Sequence, residues 1–247
     1  TQKWTLFPYT TLFRSVFRQV SDLLSSRTPV AGGAPRGLPW FVSIVSGPMT
    51  ETHIHPEFHR FLGREDKERL LSQKGVVLWL YGLSGSGKST IANLVERELH
   101  EEGRFTTILD GDNLRSGLNS NLGFSDDDRA ENIRRNAEVA RLFAQQGIVT
   151  IVSVITPRRE LRALAREVVG KDFLEVFVKA DYATCAERDP KGLYARAEAG
   201  EIKKFTGKDS GFEEPGNEAE VVLDTNTHSA AACSRILLDY LSGRLGS

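Results

Sequence analysis

Apolar runs alternate with amphipathic stretches through most of the chain. The first run, VVLWLY at 76–81, precedes a glycine-rich turn, after which Ile91, Val95 and Leu99 recur at helical spacing. Gly103 then provides a helix stop signal. This order predicts a strand, a loop and a helix.

The same alternation continues towards the C-terminus. Further strands are predicted at 106–109, 148–155, 173–179 and 220–225, and further helices at 127–146, 157–169, 183–187 and 229–241. The run at 148–155 is continuously apolar, as expected for a strand that is covered on both faces. Strands that alternate with helices predict a three-layer α/β domain with a mainly parallel, five-stranded sheet.

The first 48 residues do not follow this pattern. Residues 5–15 read TLFPYTTLFRS, which is what a widely used sequencing adapter gives when translated in one frame, and 31–39 form a patch rich in Gly and Pro. Met49 is the single methionine of the chain, and a coherent domain begins soon after it. We therefore expect residues 1–48 to be a non-native or disordered leader and 49–247 to form the folded domain.

Composition and charge restrict the classes of partner. The chain has 247 residues, of which 40% are hydrophobic, and a net charge of −1, which gives no overall attraction to nucleic acid or an acidic membrane. The longest apolar run near the start is far shorter than the roughly 20 residues of a membrane span.

Cys185 and Cys233 lie far apart, so we expect two buried thiols and a reducing, cytoplasmic location. His53, His55 and His59 lie in a polar segment, and we interpret them as solvated rather than as metal ligands.

A phosphate-binding loop follows the first predicted strand. Residues 82–89 read GLSGSGKS and match GxxxxGK[ST] at every fixed position. Glycines let the backbone wrap around phosphates with its N–H groups pointing inwards, and the N-terminus of the next helix adds a favourable dipole. We expect Lys88 to reach the β- and γ-phosphates of a nucleoside triphosphate and Ser89 to bind Mg²⁺. The motif does not identify the phosphoryl acceptor.

The segment after the second strand favours a small-molecule kinase. The NKxD segment of GTPases does not occur in the sequence, and the second strand ends on DGDNLR, from Asp110 to Arg115. Carboxylates at the carboxyl end of a strand face the crevice where such sheets bind ligands. One carboxylate can hold Mg²⁺ through water or orient an attacking hydroxyl, and Arg115 can bind an anionic group of the acceptor. A simple turn rich in Asp, Gly and Asn is the structural alternative.

A predicted helix supplies a second group of candidate ligands. Arg129 and Asn132 are three residues apart and therefore share one helix face, where a cation and an amide can grip a sulfate or phosphate and a nearby base or ribose. Phe124, just upstream, can stack on an adenine. An ordinary solvent-facing helix is the alternative.

Six segments are specific to one family. DGDNLR, GLN, NLGFS, DRAENIRR, RDPKGLY and FTGKDS occur in the order found in adenylylsulfate kinases, over about residues 55–225. The chain therefore resembles this family, and the resemblance implies an α/β/α P-loop kinase fold with a basic lid. It also implies transfer of the γ-phosphoryl group of ATP, with Mg²⁺, to the 3′-hydroxyl of adenosine 5′-phosphosulfate (adenylylsulfate) in sulfate assimilation.

The resemblance further implies a homodimer, and it leaves open an association with sulfate adenylyltransferase, to which some members are fused. Two alternatives remain for the function. One is a kinase of another small acceptor, such as a nucleoside monophosphate or a sugar acid. The other is a nucleotide-dependent regulatory protein that turns nothing over.

The resemblance also implies roles for individual residues. The residues implied to bind ATP are Gly82, Leu83, Ser84, Gly85, Ser86, Gly87, Lys88, Ser89 and Thr90. Those implied to bind adenylylsulfate are Asp112, Arg115, Phe124, Arg129, Asn132, Ile155, Lys191 and Phe205. Asp110 is expected to deprotonate or position the 3′-hydroxyl and to support the metal through water, together with Ser89. Asp112 is the second candidate for the base.

The remaining catalytic expectations concern the lid and one threonine. The basic segment 188–205 resembles the family's lid, in which Lys191 is the residue expected to act in catalysis together with Lys88 of the phosphate loop. Where the family commonly has a serine described as a phosphoenzyme residue, this chain has Thr156. In-line transfer needs only positioning and charge stabilisation, so we expect catalysis without a phosphothreonine.

Overall fold

The computed structural model describes residues 57–202, 205–208 and 211–246. The predicted leader, with Met49, lies outside the described residues, as do His53, His55, Lys203 and Lys204. In the described part the helices are α1 (Arg64–Leu71), α2 (Lys88–Glu101), α3 (Gly111–Arg115), α4 (Asp126–Ala144), α5 (Arg159–Val169), α6 (Tyr182–Arg188), α7 (Leu193–Glu198) and α8 (Ala230–Leu241), with short 3₁₀ helices at Phe58–Arg60 and Gly170–Asp172. The strands are β1 (Val76–Tyr81), β2 (Thr106–Asp110), β3 (Val149–Ser153), β4 (Phe173–Lys179) and β5 (Val221–Asp224).

All five strands form one parallel sheet in the order β2-β3-β1-β4-β5. β1 lies at the centre, where Leu78 pairs with Ile151 of β3 on one side and with Leu174 of β4 on the other. The strands therefore end at the same edge of the sheet, and the predicted parallel five-stranded architecture is confirmed.

Helices cover both faces of the sheet. Successive side chains of β1 point to opposite faces, so Leu78 and Leu80 pack in the cluster that α2 and α8 complete, whereas Trp79 and Tyr81 pack in the cluster built with α4 and α5. This division explains why β1 is apolar at every position. The result is the predicted α/β/α sandwich.

Two elements depart from the sequence-based expectation in ways that matter for the site. The third strand was predicted to reach residue 155 but ends at Ser153, and residues 154–157 belong to neither a strand nor a helix. Pro157 has no N–H group with which a strand could pair. Helix α3 was not predicted, and it begins directly after Asp110, whose side chain accepts a hydrogen bond from the backbone N–H of Asp112. Both departures lie at the carboxyl edge of the sheet.

Cys185 and Cys233 are both buried free thiols, in agreement with the expectation from their spacing. His59 is exposed. No helix within the described ranges is both long enough and apolar enough to cross a membrane.

Candidate active site

A cavity of about 900 Å³ opens at the carboxyl edge of the sheet. This is where open parallel sheets bind their ligands. The sequence-predicted residues that line it are Ser84, Gly85, Gly87, Lys88, Ser89, Thr90, Asp110, Asp112, Arg115, Phe124, Arg129, Asn132, Ile155, Lys191 and Phe205. The fold thus brings together side chains that are spread over 122 residues of sequence, from Ser84 to Phe205. Four other predicted residues, Gly82, Leu83, Ser86 and Thr156, do not line the cavity.

The phosphate loop packs tightly against the sheet. A Cβ atom on Gly82 would lie 2.3 Å from the carbonyl oxygen of Val178, so only glycine fits there. The Lys88 Nζ donates hydrogen bonds to the carbonyl oxygens of Gly82 (3.0 Å) and Leu83 (2.6 Å). Burial lowers the pKa of Lys88 to about 8, against an ordinary value of 10.5. The ammonium group is thus held, largely desolvated, at the floor of the loop.

Ser89 and Asp110 form a group of oxygen donors beside the loop. The Ser89 hydroxyl donates to Asp110 Oδ2 at 2.8 Å, and its oxygen lies 3.1 Å from the Ser153 hydroxyl oxygen. Asp110 Oδ1 accepts the N–H of Asp112 at 3.1 Å, so both carboxylate oxygens are held in place. Mg²⁺ prefers hard oxygen ligands and keeps several waters, and this set of hydroxyls and one carboxylate fits it.

Two arginines flank an exposed aromatic ring on the opposite side of the cavity. The Arg115 guanidinium lies 4.5 Å from the Phe124 ring centroid, and Arg115 donates to the carbonyl oxygen of Gly123 at 2.9 Å. Arg129 donates to the Phe124 carbonyl oxygen at 3.1 Å and to the Thr206 hydroxyl at 3.2 Å. Burial lowers the pKa of Arg115 and of Arg129, and their mutual repulsion contributes at Arg129. Both stay charged, so an anion placed here would relieve the repulsion.

The segment 188–205, the predicted lid, borders one side of the cavity with residues that include Lys191, Leu193 and Phe205. The Tyr194 hydroxyl donates to the carbonyl oxygen of Ser84 in the phosphate loop at 2.7 Å, and the Tyr194 and Phe205 rings meet edge to face at 4.9 Å. Lys191, just before helix α7, forms an ion pair with Asp112 across the cavity. The described part of this segment therefore contacts both the phosphate loop and Asp112.

Several residues that line the cavity were not singled out as candidate ligands from the sequence. Ser153 and Thr225 follow the rule that was applied to Asp110, since each lies at or just after the carboxyl end of a strand. Arg188 begins the basic segment 188–205, and it donates to the Thr225 hydroxyl (3.1 Å) and carbonyl oxygen (2.6 Å). His228 also lines the cavity, and no sequence signal pointed to it.

Thr156 lies behind the cavity wall. Its side chain is fully buried, and its hydroxyl accepts a hydrogen bond from the Trp79 indole N–H at 3.0 Å. Arg162 donates to the Thr156 carbonyl oxygen at 3.0 Å. The neighbouring residues Ile155 and Pro157 line the cavity instead. In this arrangement the threonine hydroxyl links the segment 154–157 to Trp79 of β1.

The comparison with known families agrees with this geometry. The model of the adenylylsulphate kinase family matches residues 74–224, which include the phosphate loop and the lid. The chain belongs to this family. An adenylyl-sulfate kinase of Phocaeicola vulgatus is 54% identical over 194 residues, which cover 78% of this chain and 95% of that protein. One of Bacillus licheniformis is 56% identical over 169 residues, or 68% of this chain and 85% of that protein.

A solved adenylylsulfate kinase has the same fold. The structure of the Mycobacterium tuberculosis APS kinase in complex with AMPPNP and APS is 49% identical, with a TM-score of 0.66, and the match covers 69% of this chain and 99% of that one. The family resemblance inferred from the six sequence segments is therefore confirmed.

Proposed function

We infer that this chain transfers the γ-phosphoryl group of ATP to the 3′-hydroxyl of adenylylsulfate and releases 3′-phosphoadenylylsulfate and ADP. The observation that carries this function is one cavity lined both by the phosphate loop and by the surface of Arg115, Phe124, Arg129 and Asn132. In the reaction the 3′-oxygen forms a bond to the γ-phosphorus, the bond to the β–γ bridging oxygen breaks, and the hydroxyl proton passes to a base. Holding both substrates in line is the main contribution a kinase makes to this step.

The donor side binds ATP through the phosphate loop. We assign Lys88 to the β- and γ-phosphates, because its buried ammonium lies at the floor of the loop and a partly desolvated cation attracts phosphate strongly. Ser89 and Asp110 would hold Mg²⁺, which neutralises charge on the phosphate oxygens.

The geometry favours Asp110 over Asp112 as the base. Asp110 is next to the phosphate loop and is held by two hydrogen bonds, whereas Asp112 is more exposed and is paired with Lys191 of the lid. A base must lie within hydrogen-bond reach of the hydroxyl it deprotonates. We assign the Asp112–Lys191 ion pair to holding the lid segment against the side of the cavity where adenylylsulfate would bind.

A kinetic comparison of acceptors tests the function directly. ADP release by the wild-type chain with ATP and Mg²⁺ should depend on adenylylsulfate and should be near background with AMP or gluconate. Equal rates with AMP or gluconate would indicate a kinase of another acceptor. Absence of release with every acceptor, in a chain that binds ATP, would indicate a regulatory protein.

Arg129→Ala is expected to raise the KM for adenylylsulfate by about 10–100-fold, because a charged hydrogen bond contributes about 1.5–3 kcal/mol. The KM for ATP should change by less than about threefold. Arg134→Ala is the matched control, since Arg134 lies on the same helix but pairs with Glu131 outside the cavity. If the two variants behave alike in steady-state kinetics, Arg129 is not an adenylylsulfate ligand.

Thr156→Val is expected to retain kcat within about threefold while lowering the free energy of unfolding by about 1–3 kcal/mol, because the buried Trp79 N–H loses its acceptor. Thr150→Val is the control, since Thr150 is equally buried but its hydroxyl has only a long, 3.4 Å contact to the carbonyl oxygen of Ile148. Turnover and chemical denaturation of both variants measure the two effects. A folded Thr156→Val protein that binds both substrates but is inactive would support a phosphothreonine instead.

The assembly and location of the protein are further parts of the proposal. The family resemblance supports a homodimer and is compatible with an association with sulfate adenylyltransferase, and the two buried free thiols support a reducing cytoplasm. Light scattering of the purified chain, alone and mixed with the transferase, tests both associations.

A further inference from the structure

Asn119 is a buried polar residue of the GLN segment, which so far has no role. It lies in the connection between α3 and α4, and its side chain is fully buried. Its Nδ2 donates to Asn132 Oδ1 at 3.0 Å and to Asn136 Oδ1 at 2.8 Å, so one amide group holds two side chains that are one turn apart on α4. Of these three amides, only that of Asn132 lines the cavity.

The direction of these hydrogen bonds decides what Asn132 presents to a ligand. Because the carbonyl oxygen of Asn132 accepts from Asn119, the NH₂ group is the end left to face the cavity. An NH₂ group can donate only, whereas the opposite orientation would present a carbonyl oxygen, which accepts only. A donor suits the sulfate and phosphate oxygens or the ring nitrogens of adenylylsulfate, and a carbonyl oxygen would repel the anionic groups.

The backbone around Asn119 is well anchored. The N–H of Asn119 donates to the Leu114 carbonyl oxygen at 2.8 Å, and its own carbonyl oxygen accepts from the N–H of Leu122 at 3.0 Å. Arg135 of α4 donates to the carbonyl oxygen of Leu118 at 3.1 Å. The backbone position of Asn119 is therefore fixed, and its side-chain amide is held by the two hydrogen bonds to Asn132 and Asn136.

Stability alone does not explain this arrangement of amides. Asn119 Oδ1 and Asn136 Nδ2 are buried and find no hydrogen-bond partner among the described residues. Buried polar atoms without partners are destabilising, and apolar side chains of similar size would pack there without this penalty. An effect on the orientation of Asn132 accounts for the presence of the polar group at position 119.

We propose that Asn119 is a positioning residue, which holds the Asn132 carboxamide so that its NH₂ group donates to adenylylsulfate. This inference rests on the proposed function, and it adds a residue that acts on the substrate only through Asn132. Asn119 itself does not line the cavity.

Steady-state kinetics of Asn119→Ala and Asn136→Ala test the proposal. We expect Asn119→Ala to raise the KM for adenylylsulfate by about tenfold, with the KM for ATP and kcat within about twofold of wild type. Asn136→Ala is the matched control, because it removes the other acceptor of the same Asn119 amide and is equally buried. Both variants are expected to lose thermal stability, and only Asn119→Ala should change the KM for adenylylsulfate.

A double-mutant cycle shows whether Asn119 acts through Asn132. In the Asn132→Ala background, Asn119→Ala should have no further effect on the KM for adenylylsulfate. The proposal would be overturned if the fold-changes in KM of the two single substitutions multiplied in the double variant. It would also be overturned if folded Asn119→Ala had an unchanged KM for adenylylsulfate. If Asn119→Ala does not fold, Asn119→Asp keeps the shape but removes the donor, and it should raise the same KM; an unchanged value would again overturn the proposal. Failure of the proposed function is distinguishable, since wild type would then show no turnover that depends on adenylylsulfate.

Discussion

Replacing Lys88 by methionine is expected to lower kcat/KM for ATP by about 10²–10³-fold, the usual effect of removing one donor that stabilises charge in a transition state. Methionine keeps most of the aliphatic length but has no ammonium group. The loop carbonyl oxygens of Gly82 and Leu83 would lose the donor that now holds them. The loss should therefore appear both in kcat and in the affinity for ATP.

Lys171→Met is the control for this experiment, because Lys171 is exposed and does not line the cavity. It should leave both kinetic constants within about twofold of wild type. Circular dichroism and titration with a fluorescent ATP analogue separate loss of folding from loss of binding. A Lys88→Met protein that turns over at the wild-type rate would exclude this lysine from phosphoryl transfer.

Asp110→Asn should lower kcat by about 10²–10⁴-fold, the range expected for loss of a positioned base. The asparagine oxygen can still accept the N–H of Asp112 and cap α3, so the fold should persist. Removal of the negative charge weakens both proton abstraction and the support for Mg²⁺. The measurement is single-turnover kinetics at saturating ATP and adenylylsulfate, repeated over a range of Mg²⁺ concentrations.

Asp112→Asn is the paired variant, since the two carboxylates are two residues apart and both line the cavity. Its main expected effect is on the KM for adenylylsulfate, because it weakens the ion pair with Lys191 of the lid. If Asp112→Asn instead lowers kcat more than Asp110→Asn does, the roles of the two residues are exchanged.

Much of the site could be predicted because its parts are local in sequence. The phosphate loop needs a strand, a few glycines and a helix in immediate succession, so the eight residues at 82–89 contain nearly the whole signal. Asp110 could be found since a carboxylate that directly follows an apolar run must lie at the edge of the sheet. The same rule applied to the predicted strand 220–225 would have indicated Thr225 as well, whereas Ser153 lay inside the predicted strand 148–155.

The role of buried polar residues could not be predicted in this way. Thr156 has a hydroxyl next to residues that line the cavity, and only its hydrogen bond to Trp79, 77 residues away, indicates a packing role. Asn119 and Asn132 are in different elements, and neither residue reveals the polarity of the bond between them. Side-chain orientation depends on contacts that are remote in sequence, which local patterns do not encode.

The sequence by itself determined the class of fold, the phosphate donor site and the family, because hydrophobic periodicity and short motifs act within a few neighbouring residues. The tertiary structure alone decided the strand order β2-β3-β1-β4-β5. In this order, strands that are neighbours in the sheet are separated by whole helices along the chain. It also decided that Asp110 rather than Asp112 lies against Ser89. These outcomes depend on packing across the sheet, where burial and hydrogen bonding select one arrangement among many that the same local pattern permits.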